Sequence, residues 1–447
     1  MTDDLNCLRD AQVHETVVRA AHGSSFYATH FRGLDLNRVQ TTEDLPLLPI
    51  LYKDDARRAG RSMLVASHVC SHVQNTSGST GPPLLIYRSR EERDFITAFF
   101  SHVNPRSSSE MAIALALSIP HHGTPTAVPA PIFVLQSGVS DDELLEHTIV
   151  LLEQPFAIPG VQQHVTILTG SPSQVLALTD YVRQRGDVAH HVKHIAVTGR
   201  YLTEHNRRTL HEVWGAAVHD SYSLTEIFGG ARRCARCAGF HFEPYVIPEL
   251  VSPSSREPIS EGVGVLLLTT LHPFVQYHPF IRYWTGDVFA RHTTACVEPS
   301  FFFLGRASHT LFDPSQPDHV LIPGTAMFES VDGTPYVNRT EHFRDTTTFR
   351  NPQAAGLPIL VARYAREGHT LHLRIQVEHH HLAPRNALAD LAMHVRERLI
   401  GCAPVLADEM HHGRVALTID TVPPGTGTPL SKKATLWEPA PVEVSVA

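Results

Sequence analysis

Between Gln74 and Leu85 the chain reads QNTSGSTGPPLL, with Thr76, Ser77, Ser79 and Thr80 interleaved with Gly78 and Gly81. Hydroxyl donors on a backbone that glycine leaves bare can close around a phosphate, because nothing keeps the main-chain N–H groups from its oxygens. The same residue types also build an ordinary surface turn. HDSYSLTEIFGG puts Tyr222, Thr225 and Glu226 on a strand-to-turn corner, and FIRYWTGDV puts Asp287 after a Thr-Gly pair at a strand end. TPLSKKATLW sets Lys432 and Lys433 on a loop near the C-terminus. Taken singly, these are a solvated acid, a turn former and two surface charges. Cys234, Cys237 and His241 in RRCARCAGFHF have the spacing of a zinc site, since thiolate and imidazole suit a closed tetrahedral centre; Cys296 follows downstream. Reduced thiols in a loop are the plain alternative.

The elements that must hold these residues alternate. SREERDFITAFFSHV has helical spacing, MAIALALSI reads as a buried strand, and SPSQVLALTDYVRQRG is a helix opened by a capping serine and closed at Gly186. VKHIAVTGRYL is a strand running into a turn, TEHNRRTLHEVWG a helix closed at Gly215, and AAVHDSYSLTE another strand and turn. That order implies α/β architecture with largely parallel sheets. After about residue 245 the pattern turns to β, then to a Pro-, Asp- and Gly-rich loop expected from Phe312 to Gly333. A β-β-α-β tail follows, a small α+β domain whose border lies near residues 305–310.

At 447 residues and a net charge of −8, the chain is too long for one core and has no basic field for nucleic acid. Its apolar runs are too short to span a bilayer, its first residues are acidic and polar, and its six cysteines suggest no disulfide framework. A reducing cytoplasm is the expected location. The 31 histidines are scattered, and most are expected at the surface.

In this order the segments resemble the core motifs of the adenylate-forming superfamily: acyl-CoA synthetases, peptide-synthetase adenylation domains and luciferases. Within it they are similar to the phenylacetate–CoA ligase-like branch. LPLLPILYKDD, ILTGSPSQVLAL, VTGRYLTEHNRRTLHEVWGAAVHDSYSLTE and GVLLLTTLHPFVQYHPFIRYWTGD carry the likeness over most of residues 45–310, and it returns at 420–437. The resemblance implies a large N-terminal domain, 1–305, with parallel-rich sheets and a β-rich subdomain. It also implies a small mobile α+β domain, 306–447, that carries the catalytic lysine. It implies that a small organic acid, aryl in this branch, attacks the α-phosphorus of ATP to give an acyl-adenylate and pyrophosphate. Thr76, Ser77, Gly78, Ser79, Thr80 and Gly81 would cradle phosphates, and Glu226 with Thr225 would hold Mg²⁺. Tyr222 would lie against adenine, Asp287 would accept from the ribose hydroxyls, and Arg306 would touch ribose or phosphate. Lys433 would bridge carboxylate and α-phosphate, while His121, His122, Phe133 and Gly199 would border the acid. Cys234, Cys237, His241 and Cys296 would hold a structural zinc.

Departures bear on the second half-reaction. Pro82 replaces the lysine that usually follows the second glycine of the loop, Lys432 precedes Lys433, and GRASHTLF lacks the paired aspartates that usually follow its arginine. The resemblance puts the hinge position, usually an aspartate, at Ser308. CoA, a carrier protein's phosphopantetheine or an amine therefore stay open as acceptors. So do adenylation of another oxyanion and a non-catalytic nucleotide-binding scaffold. No membrane or nucleic-acid partner is expected, and the oligomeric state is not legible.

Overall fold

The computed structural model describes residues 2–76, 82–103, 110–117, 132–340, 356–430 and 435–440. Its largest sheet has twelve strands and changes character halfway along. One half is parallel, in the order Ala217–Ser223, His194–Thr198, Val161–Gly170, Met111–Leu117, Ile132–Ser137. Parallel neighbours need a return path, and the helices Asp142–Glu153, Pro172–Arg185 and Glu204–Trp214 provide it. Ser171 and Gln174 cap the second of these reciprocally, and Thr203 caps the third. The apolar faces close over Ile113, Leu115, Leu168, Ile195 and Leu178.

The other half is antiparallel and starts at Gly230–Arg233, which pairs with Ala217–Ser223. It continues through Phe240–Phe242, Ser300–Arg306, Tyr283–His292, Gly262–Thr270 and Val246–Val251 to a short edge strand, Pro258–Ile259. The N-terminal helix Thr2–Gly23 packs Val13 and Val17 onto the core of this half, beside Leu266, Phe289 and Phe301. Strand direction switches in the turn between Ser223 and Gly230, the turn that holds Thr225 and Glu226. The C-terminal ends of parallel strands at such a switch are where α/β sheets leave a crevice.

A separate core gathers Leu321, Met327, Leu360, Leu373, Ile375, Val395 and Trp437 from the C-terminal part of the chain. Its sheet runs Val415–Val422, Thr370–Glu378, Ile359–Glu367, Thr428–Pro429, with Trp437–Pro439 added beside Ile359–Glu367. The helices Gly324–Val331 and Ala387–Cys402 contribute to the same core. The β-β-α-β order is therefore present, with one further helix, Pro404–His411.

One expectation is corrected. Phe312 to Gly333 is not a loop: it holds the end of the strand Leu311–Asp313, its partner Gln316–Ile322 and the helix Gly324–Val331. Pro314 and Ser315 make the hairpin turn, and Pro323 stands immediately before the helix, so the turn formers punctuate elements instead of excluding them. That helix docks the C-terminal core onto the large sheet. Glu329 Oε1 accepts from Tyr201 Oη (2.8 Å) and from the backbone N–H of Glu204 (3.0 Å). Asp332 Oδ2 accepts from Thr203 Oγ1 (3.0 Å) and Asn206 Nδ2 (2.8 Å). Two carboxylates thus sit at the N-terminus of Glu204–Trp214, where the helix dipole favours them.

The antiparallel pair of Cys70–Asn75 with Leu85–Ser89 is anchored by a buried polar knot. Glu92 accepts backbone N–H groups from Ser89 (2.7 Å) and Tyr277 (2.8 Å), and His278 Nδ1 accepts from Tyr87 N–H (3.3 Å). His278 is 1% exposed, an exception to the surface assignment of the histidines, and burial holds its pKa down to about 3. Below pH 6.5 the unfolded chain binds a proton at this site and the folded chain does not. Stability supplied by His278 is therefore complete above pH 6.5 and falls by about 1.4 kcal/mol per unit as pH drops toward 3. His278→Asn, which keeps an acceptor for Tyr87, is expected to flatten the stability–pH slope between pH 6 and 4 in urea melts; an unchanged slope would refute the assignment.

Candidate functional site

At the strand switch, three sequence-predicted residues meet around one carboxylate. Asp287, 4% exposed, accepts from Tyr222 Oη on Oδ2 (2.7 Å) and from Arg306 Nη1 on Oδ1 (3.1 Å). Strand register dictates this, because Asp287 and Arg306 are direct partners across the antiparallel pair. Arg306 also donates to the carbonyl of Thr285 (2.7 Å), which fixes the guanidinium. The Asp287 carboxylate raises the pKa of Arg306, and burial raises that of Tyr222, so both stay protonated. Gly286 sits at φ +73°, a left-handed conformation that a side chain would strain. Gly305, at φ +109°, lets the strand end approach Gly324: a Cβ there would lie 2.8 Å from the Gly324 Cα.

These groups open onto a cavity of about 130 Å³. Gly199, Tyr222, Asp287 and Arg306 line it, with Phe303, Phe328 and Leu430 among the apolar walls. Asp220 lines it too; burial lifts its pKa to about 6 against the opposing pull of Arg207, 3.2 Å away. A mostly apolar wall beside an acceptor-only carboxylate suits a nucleoside.

Glu226, also 4% exposed, follows in the turn with Thr225 beside it. Its Oε1 accepts from Tyr283 Oη (2.8 Å) and from Lys53 Nζ (3.0 Å), while Oε2 has no partner among the described residues. Lys53 is a functional candidate that sequence reasoning missed. It opens the helix Lys53–Ala59, and a lysine in a first turn opposes the helix dipole, which was the available signal.

The remaining predicted residues divide. Thr76 closes the base of its loop: its N–H donates to Leu84 O (3.0 Å) and its Oγ1 accepts from Leu84 N–H (3.0 Å). Ser77, Gly78, Ser79, Thr80, Gly81, His121, His122 and Lys433 lie outside the described residues. One flank of the segment bearing Lys433 is at the cavity, and the other is bonded to the stretch that follows Arg306. Leu430 lines the cavity, and Leu436 N–H donates to the carbonyl of Ser308, two residues beyond Arg306 (2.8 Å). Phe133, on the edge strand Ile132–Ser137, packs against the parallel-half core and is not among the cavity walls.

Elsewhere, Cys234, Cys237, His241 and Cys296 place their donor atoms within 4.8 Å of one another. Cys234 and Cys296 sulfurs are 3.9 Å apart, and Cys237 Sγ is 3.5 Å from His241 Nε2. The backbone N–H groups of Cys237 and Arg236 pull the Cys234 thiol down to about 6.

The chain is 27% identical over 287 residues to the phenylacetate–coenzyme A ligase of Thermus thermophilus, a match spanning 59% of this chain and 60% of that one. Among solved structures it superposes on 2-hydroxyisobutyryl-CoA ligase in the postadenylation state, in complex with 2-HIB-AMP. That match has a TM-score of 0.66 and 16% identity, covering 96% of this chain and 88% of that one. The chain has the adenylate-forming fold. The same ligase in its thioesterification state gives 0.58 at 15% identity, over 98% and 90% of the two chains, so the match does not hinge on one state. No protein-family model matches the sequence.

Proposed function

We propose that the chain is an AMP-forming ligase that activates a small organic acid with ATP and Mg²⁺ and passes the acyl group to the thiol of CoA. The observation that carries the reading is the Tyr222–Asp287–Arg306 constellation on a cavity of about 130 Å³, beside a glutamate with one oxygen unpartnered among the described residues. The carboxylate oxygens of Asp287 each keep a lone pair beyond the bonds they already accept, enough for two ribose hydroxyls. Tyr222 and Arg306 hold that carboxylate in place, so ribose binding costs little reorganisation. Glu226 fits a cation: Lys53 and Tyr283 orient Oε1, and Oε2 is left to coordinate. Mg²⁺ held there would neutralise charge on the triphosphate. Lys53, 3.0 Å from that carboxylate, supplies the phosphate-side cation that Pro82 removes from the loop. Lys433 acts at the α-phosphate, where charge develops in the transition state. Residues 1–305 form the adenylating domain, and residues 306–447 the mobile one.

The four-donor cluster is a structural zinc site. A tetrahedral zinc with Zn–S near 2.3 Å sets two thiolates about 3.8 Å apart, against the 3.9 Å between Cys234 and Cys296. His241 presents Nε2 to the cluster, and its Nδ1 lies 3.1 Å from the carbonyl of Pro299, the supporting bond that metal-bound histidines commonly make.

ATP–pyrophosphate exchange over aryl acids, short hydroxy acids, fatty acids and amino acids tests the reading. One class of acid is expected to drive exchange, and CoA to release AMP from the loaded enzyme. ATP binding without exchange by any acid would leave a nucleotide-binding scaffold instead.

A further inference from the structure

Arg200 follows Gly199 at the end of the strand His194–Thr198, and its surroundings differ from those of every other cation described above. Burial lowers the pKa of its guanidinium, yet among the described residues it makes no hydrogen bond and no ion pair. A guanidinium carries five N–H donors, and those of the half-buried Arg200 are left open to solvent or a ligand. The residue borders the nucleoside cavity and also a second cavity, of about 70 Å³, between the large sheet and the C-terminal core. The charges it feels, Asp332 and Arg339, both line that second cavity, so the guanidinium faces it.

The other charges around this cavity are already matched. Arg339 donates to Asp332 Oδ1 (2.6 Å) and to the carbonyl of Gly356 (3.1 Å), while Thr203 and Asn206 occupy Asp332 Oδ2. Arg183 stands 3.8 Å from Asp180. His205 is held toward its neutral form by burial. Among the described residues lining it, three arginines against two aspartates leave one positive charge, that of Arg200. Thr209 is also on the wall. The volume holds several water-sized spheres, enough for one tetrahedral oxyanion.

We propose that this second cavity is a binding site for a phosphate group, held by Arg200 with Thr209 at the seam between the two cores. Arginine is suited to it because its fork can engage two phosphate oxygens at once. Since the walls come from both parts of the chain, an anion there also ties the Gly324–Val331 helix to the large sheet. The phosphate could belong to inorganic phosphate or to the 3′-phosphate of a CoA-type acceptor. Only the second source rests on the proposed function.

Calorimetric titration of the full chain with inorganic phosphate is the test, repeated for Arg200→Ala, Arg200→Lys and Thr209→Val. Affinity is expected to fall about 10-fold or more in Arg200→Ala, to recover in part in Arg200→Lys, and to drop several-fold in the near-isosteric Thr209→Val. A parallel arm compares CoA with dephospho-CoA. If CoA supplies the phosphate, the preference for CoA disappears in Arg200→Ala. If free phosphate is the ligand, CoA and dephospho-CoA bind alike and the phosphate titration alone responds. Equal phosphate affinity in the wild type and all three variants, with any CoA preference untouched, overturns the proposal.

Discussion

Asp287→Ala is expected to raise the KM for ATP by about 100-fold or more, with the folded chain retained. Hydrogen bonds to a charged group are worth about 1.5–3 kcal/mol each, and this substitution removes the acceptor for both ribose hydroxyls. It also strips Arg306 of its counter-ion and Tyr222 of its acceptor, so the cavity loses the order that pre-forms it. Arg306 keeps its bond to the Thr285 carbonyl, which is why the strand pair should survive. Lys433→Ala should behave differently: a contact made in the transition state lowers the rate of adenylate formation by about 10²–10³-fold while ATP still binds. Pyrophosphate exchange at varied ATP separates the two effects. An unchanged KM for ATP in Asp287→Ala would remove the ribose from this cavity. A full rate in Lys433→Ala, with Lys432→Ala inactive, would shift the catalytic role by one residue.

The contrast between those two residues also marks what the sequence disclosed. Short-range signals were readable: Ser171 and Gly186 bounded their helix as capping chemistry requires, and the apolar runs became the parallel strands. Motif order placed Tyr222, Asp287 and Arg306 near one another, but not the bonds among them. A tyrosine 65 residues before an aspartate gives no local cue that its hydroxyl will meet that carboxylate. Lys53 was hidden for the same reason, its partner Glu226 lying 173 residues downstream. Arg200 was hidden by its neighbours, because its meaning comes from a cavity whose far wall, Asp332 and Arg339, belongs to the other core. The misread stretch from Phe312 to Gly333 failed differently. Its turn formers are dense enough to mask a short hairpin and an eight-residue helix whose stability comes from packing Met327 and Val331 into the C-terminal core.

Removing zinc is expected to destabilise the large sheet without abolishing nucleotide binding. Cys234 and Cys237 bracket a tight turn after Gly230–Arg233, and His241 lies on Phe240–Phe242. Cys296 sits in the link between Tyr283–His292 and Ser300–Arg306. The site would therefore clamp the strand that presents Asp287 to the strands beyond the Glu226 turn, where Phe240 and Phe301 pair. Because such sites do not exist in the unfolded chain, metal affinity becomes folding free energy. Purified protein should contain one zinc per chain, and a strong chelator should lower the melting temperature by roughly 5–10 °C. Cys237→Ser should lose metal and show the same drop with no chelator added. None of the four donor residues lines the cavity, so ATP affinity measured at 20 °C should change little. Protein purified without chelators that holds no zinc, and melts alike with and without EDTA, would eliminate the metal. Activity that tracked zinc content at temperatures well below the melt would move the cluster from holding the sheet together to taking part in the reaction.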